Sequence, residues 1–225
     1  MTAAAAVLFD LDGTLIDTTE LILASCRHTF DRHLRGGCPP RDALIATFGR
    51  SLPESLIETA IAEGAPDPRA FAAEMLATYR AHNDAHHDAL IRPFDGVEPM
   101  LHALRASGVR LGVVTSKRER SARRGMARYG LADFFEVGIF HDDTATHKPH
   151  PAPLVEAARR LDVAPAETIY VGDSVHDVAA GRAAGMRTIA AAWGPFPRAD
   201  LEAAGPDAVA DAPGEVVALV RTTGP

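Results

Sequence analysis

Lysine is nearly missing from this chain of 225 residues. Of 23 basic side chains, only Lys117 and Lys148 are lysines, and the rest are arginines. A compact ammonium does what a planar guanidinium does not, so both positions draw attention before any motif is invoked. Cysteine is as scarce. Cys26 and Cys38 are two and unclustered, which excludes a disulfide framework and reads as reduced thiols. No apolar run approaches the ~18 residues of a membrane span. The N-terminal alanine run lacks the basic flank and long apolar region of a signal peptide, so the expected address is cytoplasmic. A formal net charge of −7 argues against nucleic acid as a partner. Repeats and low-complexity segments are absent too. The length suits one large domain or two modest ones, and 47% hydrophobic residues supply a sizeable core.

Residues 7–18 read Val-Leu-Phe-Asp-Leu-Asp-Gly-Thr-Leu-Ile-Asp-Thr. The apolar run from Ala3 to Phe9 does not alternate with polar residues, which suits a strand buried on both faces of a parallel sheet. It ends in two carboxylates, Asp10 and Asp12. Ligand sites in such sheets lie just beyond the carboxyl ends of the strands. Two acidic groups held together there call for a cation. Hard carboxylate oxygens with no Cys or His nearby favour Mg²⁺. A hairpin turn at Asp12-Gly13 is the plainer reading, but the residues that follow turn helical. A calcium loop would need Gly and Glu where Leu15 and Leu21 stand.

From Phe94 onward helix and strand alternate. Helices are expected at 97–107, 119–129, 152–161 and 175–184. Strands are expected at 109–114, 135–140, 168–171 and 187–192. Glycine stands at several of the helix exits, as a stop signal should. Such alternation implies an α/β fold with a doubly wound parallel sheet. The stretch 18–91 carries helical periodicity only, at 21–33, 41–48, 54–62 and 69–85. It reads as a helical domain inserted into a core of residues 1–17 and 92–225, with hinges near 17–19 and 92–95. Such a lid could exclude water during chemistry.

Three further segments join the first. Val114-Thr115-Ser116-Lys117 is a strand end opening a helix, where Thr115 and Ser116 either cap the helix or hold a phosphate oxygen. Lys148 stands among Pro149, Pro151 and Pro153. A fixed ammonium there could offset repulsion between a carboxylate nucleophile and a phosphate, an effect of about 4 kcal/mol at ~4 Å. Gly172-Asp173-Ser174-Val175-His176-Asp177 is again a strand end opening a helix. Its acidic residues either complement the helix dipole or serve a metal, with Asp173 completing the site and Asp177 orienting it. Lys117 is expected only to begin a helix beside Thr115.

With its four motifs in this order, the whole chain resembles phosphatases of the haloacid dehalogenase superfamily that carry an α-helical cap. The resemblance implies a Rossmann-like core and an Mg²⁺-dependent phosphohydrolase. Asp10 would be the nucleophile, forming an aspartyl-phosphate. Asp12 would be the general acid and then the base. Thr115 and Lys148 would hold the phosphoryl group. Asp10, the backbone carbonyl of Asp12, and Asp173 would bind Mg²⁺.

Asp12 counts against dehalogenation within the superfamily, and a cap without lysine counts against phosphonate hydrolysis and phosphomutation. A non-catalytic binding protein would most simply have lost a motif residue, and none is lost. The segment Tyr79-Arg80…Asn83…His86-His87-Asp88 is similar to the cap exit of bacterial pyrophosphatases of the superfamily, as is Ala192-Trp193-Gly194. A loop at Phe48-Gly49-Arg50 is shared in layout with phosphoglycolate phosphatases. Arg50, Asn83, His86 and His87 are therefore expected on the substrate, a small phosphate compound, with Ser116 beside Thr115. His82 and His86 lie one helical turn apart without a third ligand, which reads as a solvated or cap-facing pair and not as zinc.

Overall fold

The computed structural model describes residues 4–222; Ala3, where the first apolar run begins, lies outside them. The core is one six-stranded parallel sheet built from β1 (Ala6–Phe9), β4 (Arg110–Val114), β5 (Val137–Ile139), β6 (Thr168–Gly172), β7 (Arg187–Ala191) and β8 (Ala208–Ala210). The strand order is β5-β4-β1-β6-β7-β8. β1 is central because both its faces are covered: Val7 and Phe9 join one buried cluster, Ala6 and Leu8 the other. A strand without polar alternation has no solvent face to offer. Phe9 is in register with Val113 on one side and Val171 on the other. Helices α5 (Val97–Ala106), α6 (Glu119–Arg128), α7 (Ala152–Arg160), α8 (Val175–Ala183), α9 (Arg198–Ala203) and α10 (Pro213–Thr222) connect or flank the strands. The chain is thus an α/β fold with a doubly wound parallel sheet.

Between β1 and the rest of the sheet come four helices: α1 (Thr19–His33), α2 (Arg41–Ile45), α3 (Leu52–Ala62) and α4 (Pro68–Leu90). Their Leu23, Leu56, Met75 and Tyr79 belong to a buried cluster that continues into the core through Val178, Ala190, Phe196 and Leu201. α4 starts where its sequence says it should. Asp67 caps it by accepting from the backbone N–H groups of Arg69 and Ala70 at 3.1 and 3.0 Å, and Pro68 fills the first turn. Two short segments flank the insertion, β2 (Ile16–Asp17) and β3 (Arg92–Pro93). They pair antiparallel, and Arg92 donates to Asp17 at 3.2 Å. The two expected hinge regions therefore run side by side as one narrow ribbon, a pairing too short for sequence periodicity to reveal.

Other boundaries moved by a few residues. The helix expected at 41–48 ends at Ile45, because the chain turns there toward Gly49, whose φ is +82°. α4 runs to Leu90, beyond the expected 85. The segment after Ala191, given no structure from sequence, supplies α9, β8 and α10. No helix among the described residues is long and apolar enough to cross a membrane.

Candidate active site

Asp10, Thr115 and Asp173 follow the last residues of three adjacent strands, β1, β4 and β6. Parallel pairing places those ends side by side. All three side chains are buried. Lys148 arrives on the loop before α7 and is 3% exposed. Its ammonium donates to Asp10 Oδ1 at 2.7 Å, to Asp177 Oδ1 at 2.7 Å and to the Tyr170 hydroxyl at 3.1 Å. Three donor sites meet three acceptors, so this buried cation is fully used. Such a geometry fixes the ammonium against the carboxylate at the end of β1.

Asp177 is equally committed. Its Oδ1 takes the Lys148 bond and lies 3.0 Å from the Tyr170 hydroxyl. Its Oδ2 accepts from the Ser174 hydroxyl at 2.5 Å and the Ser174 backbone N–H at 3.1 Å. Ser174 and Asp177 thereby form a reciprocal cap on α8. Asp177 acts on the site through Lys148, whose position it sets.

Asp173 carries a bond from the Thr14 hydroxyl at 2.8 Å. The turn after Asp12 makes room for it: Gly13 has φ +88°, and a Cβ there would overlap the Asp173 carboxylate. Trp193 secures the same turn by donating its indole N–H to the Thr14 carbonyl at 2.9 Å.

Oxygen atoms of Asp10, Asp173 and Asp177 all come within 4.8 Å of one another. Burial pushes Asp10 up to about 7, although Lys148 pulls against it. Burial, with the negative charges of Asp177 and Asp10, holds Asp173 well above the usual carboxylate range. Three buried carboxylates face one buried ammonium, so the cluster is short of positive charge. Its donors are hard oxygens with no sulfur or imidazole among them. The residues therefore fit a divalent metal ion. Asp10 and Asp173 are the better ligands, because both oxygens of Asp177 are already taken.

Above these groups lies a cavity of about 220 Å³ that reaches from Asp10 and Thr115 into the helical insertion. Asp12 lines it and is held by Lys117, whose ammonium donates to both carboxylate oxygens at 2.8 and 3.0 Å. Lys117 thus does more than begin a helix, which corrects the expectation. Its signal was in the sequence, as one of two lysines, but the carboxylate it pairs with lies 105 positions away. Thr14 and Tyr170 were missed, and Ser174 and Trp193 were quoted without these roles, since each acts by supporting a charged motif residue and not as part of the charge pattern.

The residues expected on the substrate divide. Ser116 lines the cavity, but its hydroxyl donates to the Gly49 carbonyl at 2.8 Å, tying the insertion to the core. Arg50 lines the cavity while paired to Glu58 at 2.6 Å. Asn83 lines it with an amide loosely held by Ser25 and Tyr79, at 3.4 and 3.5 Å. His86 and His87 do not line it. His86 is exposed, bonded to the His82 carbonyl at 2.8 Å and stacked on the His82 ring. His87 is 1% exposed and bonds to Asp88, which pairs with Arg124 of α6 at 2.9 Å. Arg80, Asn83 and His87 share one helix face, but His87 lies a turn farther along, past the cavity and against Gly125 of α6, while rotation alone turns His86 outward.

The family description "haloacid dehalogenase-like hydrolase" matches residues 7–191. A pyrophosphatase PpaX of Halalkalibacterium halodurans is 42% identical over 182 residues, 81% of this chain and 80% of that protein. A PpaX of Bacillus mycoides is 39% identical over 91% of both chains. Among solved structures, one from Lactobacillus plantarum, provisionally identified as a phosphoglycolate phosphatase, superposes with a TM-score of 0.83. It is 28% identical, over 97% of this chain and 100% of that one. With the carboxylate cluster, the buried lysine and this match in hand, the chain belongs to the haloacid dehalogenase-like hydrolases and is a phosphohydrolase of that family.

Proposed function

We propose that the chain hydrolyses inorganic pyrophosphate with Mg²⁺, through an aspartyl-phosphate on Asp10. The observation that carries the reading is the Asp10 carboxylate at the cavity floor. One of its oxygens is held by Lys148 at 2.7 Å, and the other has no hydrogen-bond partner among the described residues and is left to attack. The leaving group is read from the similarity to the PpaX proteins.

In the first step Asp10 attacks phosphorus, the bridging P–O bond breaks, and Asp12, carrying a proton in place of its Lys117 contact, gives that proton to the departing oxygen. In the second, Asp12 takes a proton from water as the hydroxide attacks phosphorus. The Asp10–phosphorus bond breaks, and both residues return to their starting forms. Splitting one displacement into two is covalent catalysis. Thr115 holds the phosphoryl group against Asp10, and the charge of Lys148, fixed beside Asp10, offsets the repulsion between carboxylate and phosphoryl group, so that positioning and charge supply the acceleration. Asp10, Asp173 and the Asp12 carbonyl would hold Mg²⁺, which when bound neutralises charge on the phosphoryl oxygens. The helical insertion acts as a lid that keeps bulk water out. The substrate is a small molecule, with neither nucleic acid nor membrane as partner, and the place of action is the cytoplasm.

Hydrolysis of a small organic phosphomonoester such as phosphoglycolate is the second reading. The side of the cavity contributed by α1 and α4 favours it: Ile22, Cys26, Leu76 and Tyr79 line it, and pyrophosphate offers no carbon to meet them. The test is phosphate release from both compounds at matched concentrations, with and without a chelator. Pyrophosphate is expected to have the higher kcat/KM, and chelation to abolish both activities. A preference for phosphoglycolate of about tenfold or more, ~1.4 kcal/mol, reverses the order.

A further inference from the structure

Among the described residues two arginines of the cavity lack a partner, Arg120, which is exposed, and Arg80, which is not. Arg80 projects from α4 into the cavity, half-buried, and makes no hydrogen bond or ion pair within 4 Å among the described residues. Arg50, on the same cavity, is neutralised by Glu58 at 2.6 Å. Burial pulls the Arg80 guanidinium below its usual range, and the charge of Arg118 pulls it further, with Asp142 and Asp84 opposing. Arg118 lines the cavity from the start of α6 and reaches Asp142 only at 4.0 Å. His141 lines it from the loop after β5 and feels the charge of Arg80. Its Nδ1 is buried with no hydrogen-bond partner, and its ring is held by stacking on His147 at 4.1 Å.

A half-buried guanidinium beside a second one is unfavourable without an anion. One oxyanion between the two guanidiniums would offset both charges, with His141 bordering it from the core. These groups are not needed at Asp10, where Lys148 already supplies the buried cation.

We propose that Arg80, with His141 and Arg118, forms an anion subsite that grips a second oxyanion, carried by the leaving group of the substrate. The inference rests on the phosphohydrolase reading and assigns recognition of a phosphate or carboxylate on the leaving group to these residues. It also assigns the recognition to a contact shared by insertion and core: α4 brings Arg80, and the core brings His141 and Arg118. Arg80 is then a specificity-determining residue that meets the leaving group and takes no part in phosphoryl transfer at Asp10.

Arg80→Met, Arg80→Lys and His141→Ala are to be compared with the native enzyme on three substrates: pyrophosphate, phosphoglycolate and p-nitrophenyl phosphate, whose leaving group lacks a carboxylate or phosphate. Calorimetric binding of methylenebisphosphonate supplies a readout without turnover. Arg80→Met is expected to lower kcat/KM about 100-fold or more on the native enzyme's preferred doubly anionic substrate, while changing p-nitrophenyl phosphate by no more than about threefold. It should weaken bisphosphonate binding at least about tenfold, with Arg80→Lys recovering part of both losses and His141→Ala showing the same selectivity. Equal losses on all three substrates, or no loss on any, overturn the subsite while leaving the phosphohydrolase reading intact. A native enzyme inactive on all three removes that reading itself.

Discussion

At the scale of single residues, the site is an exercise in holding charges where they do not wish to be. Lys148 and Asp177 are each about 1% exposed at the side chain, and neither would be tolerated alone. Asp10→Asn keeps the shape and removes the proposed nucleophile, so turnover should fall by about a thousandfold or more, ~4 kcal/mol of barrier, with the melting temperature near native. Phosphate release at a normal rate would refute the covalent route. The two lysines separate in a different way. Lys148 spreads three donors over three acceptors at one point, a pattern a planar fork does not reproduce, so Lys148→Arg should be severe. Lys117 instead meets both oxygens of Asp12, and a guanidinium can do the same in bidentate fashion. Lys117→Arg should therefore remain mild, and Lys117→Met should lose activity because Asp12 is no longer held. Equal activity in Lys117→Arg and Lys117→Met would show that the pair has no role.

At the scale of elements, α4 carries two functions on successive turns. Tyr79, Arg80 and Asn83 line the cavity, while His87 and Asp88 dock against α6 through Arg124. Substitutions along one helix should then give two kinds of phenotype. His86→Ala should leave kcat/KM unchanged within about twofold, as an exposed side chain away from structural features changes little. His87→Ala should leave the chemistry intact and lower stability by about 1–3 kcal/mol, read as a drop in melting temperature. If His86→Ala were the variant to lose activity, the assignment of helix faces would be wrong. The motif along this helix was legible in the sequence, and the direction of each side chain was not. A run of histidines reads as donors, but 3.6 residues per turn decide which of them face the ligand.

At the scale of the whole molecule, the insertion and the core enclose a cluster with too much negative charge. Asp10 is raised to about 7, and Asp173 is raised as well. A carboxyl whose folded pKa lies above its unfolded value favours folding while protonated. That contribution is complete below about pH 4 and disappears as pH rises through about 7. Metal-free protein should therefore lose this part of its stability on the alkaline side, where Mg²⁺ has most to offset. The rise in melting temperature produced by Mg²⁺ over a chelated sample should be larger at pH 8 than at pH 5.5. An equal rise at both values would place the ion elsewhere, away from Asp10 and Asp173.

The sequence alone determined the alternation of helix and strand as far as β7 and the order of the motifs. An unbroken apolar run ending in two carboxylates has few physical solutions, and glycine at several of the helix exits marks the alternation of helix and strand. Asp10, Thr115, Lys148 and Asp173 could be named because each stands at a strand end or a stiffened loop. Only the tertiary structure decided which charges meet. Lys117 finds Asp12 across 105 positions, and Tyr170 and Ser174 close around Asp177. Arg80 meets the cavity while His87, on the same helix face two turns farther along, meets α6, and His86 is rotated outward. Those outcomes depend on helix rotation and on the approach of segments distant in the chain. Local pattern carries neither, because a side chain's neighbours in space are set by packing and not by spacing.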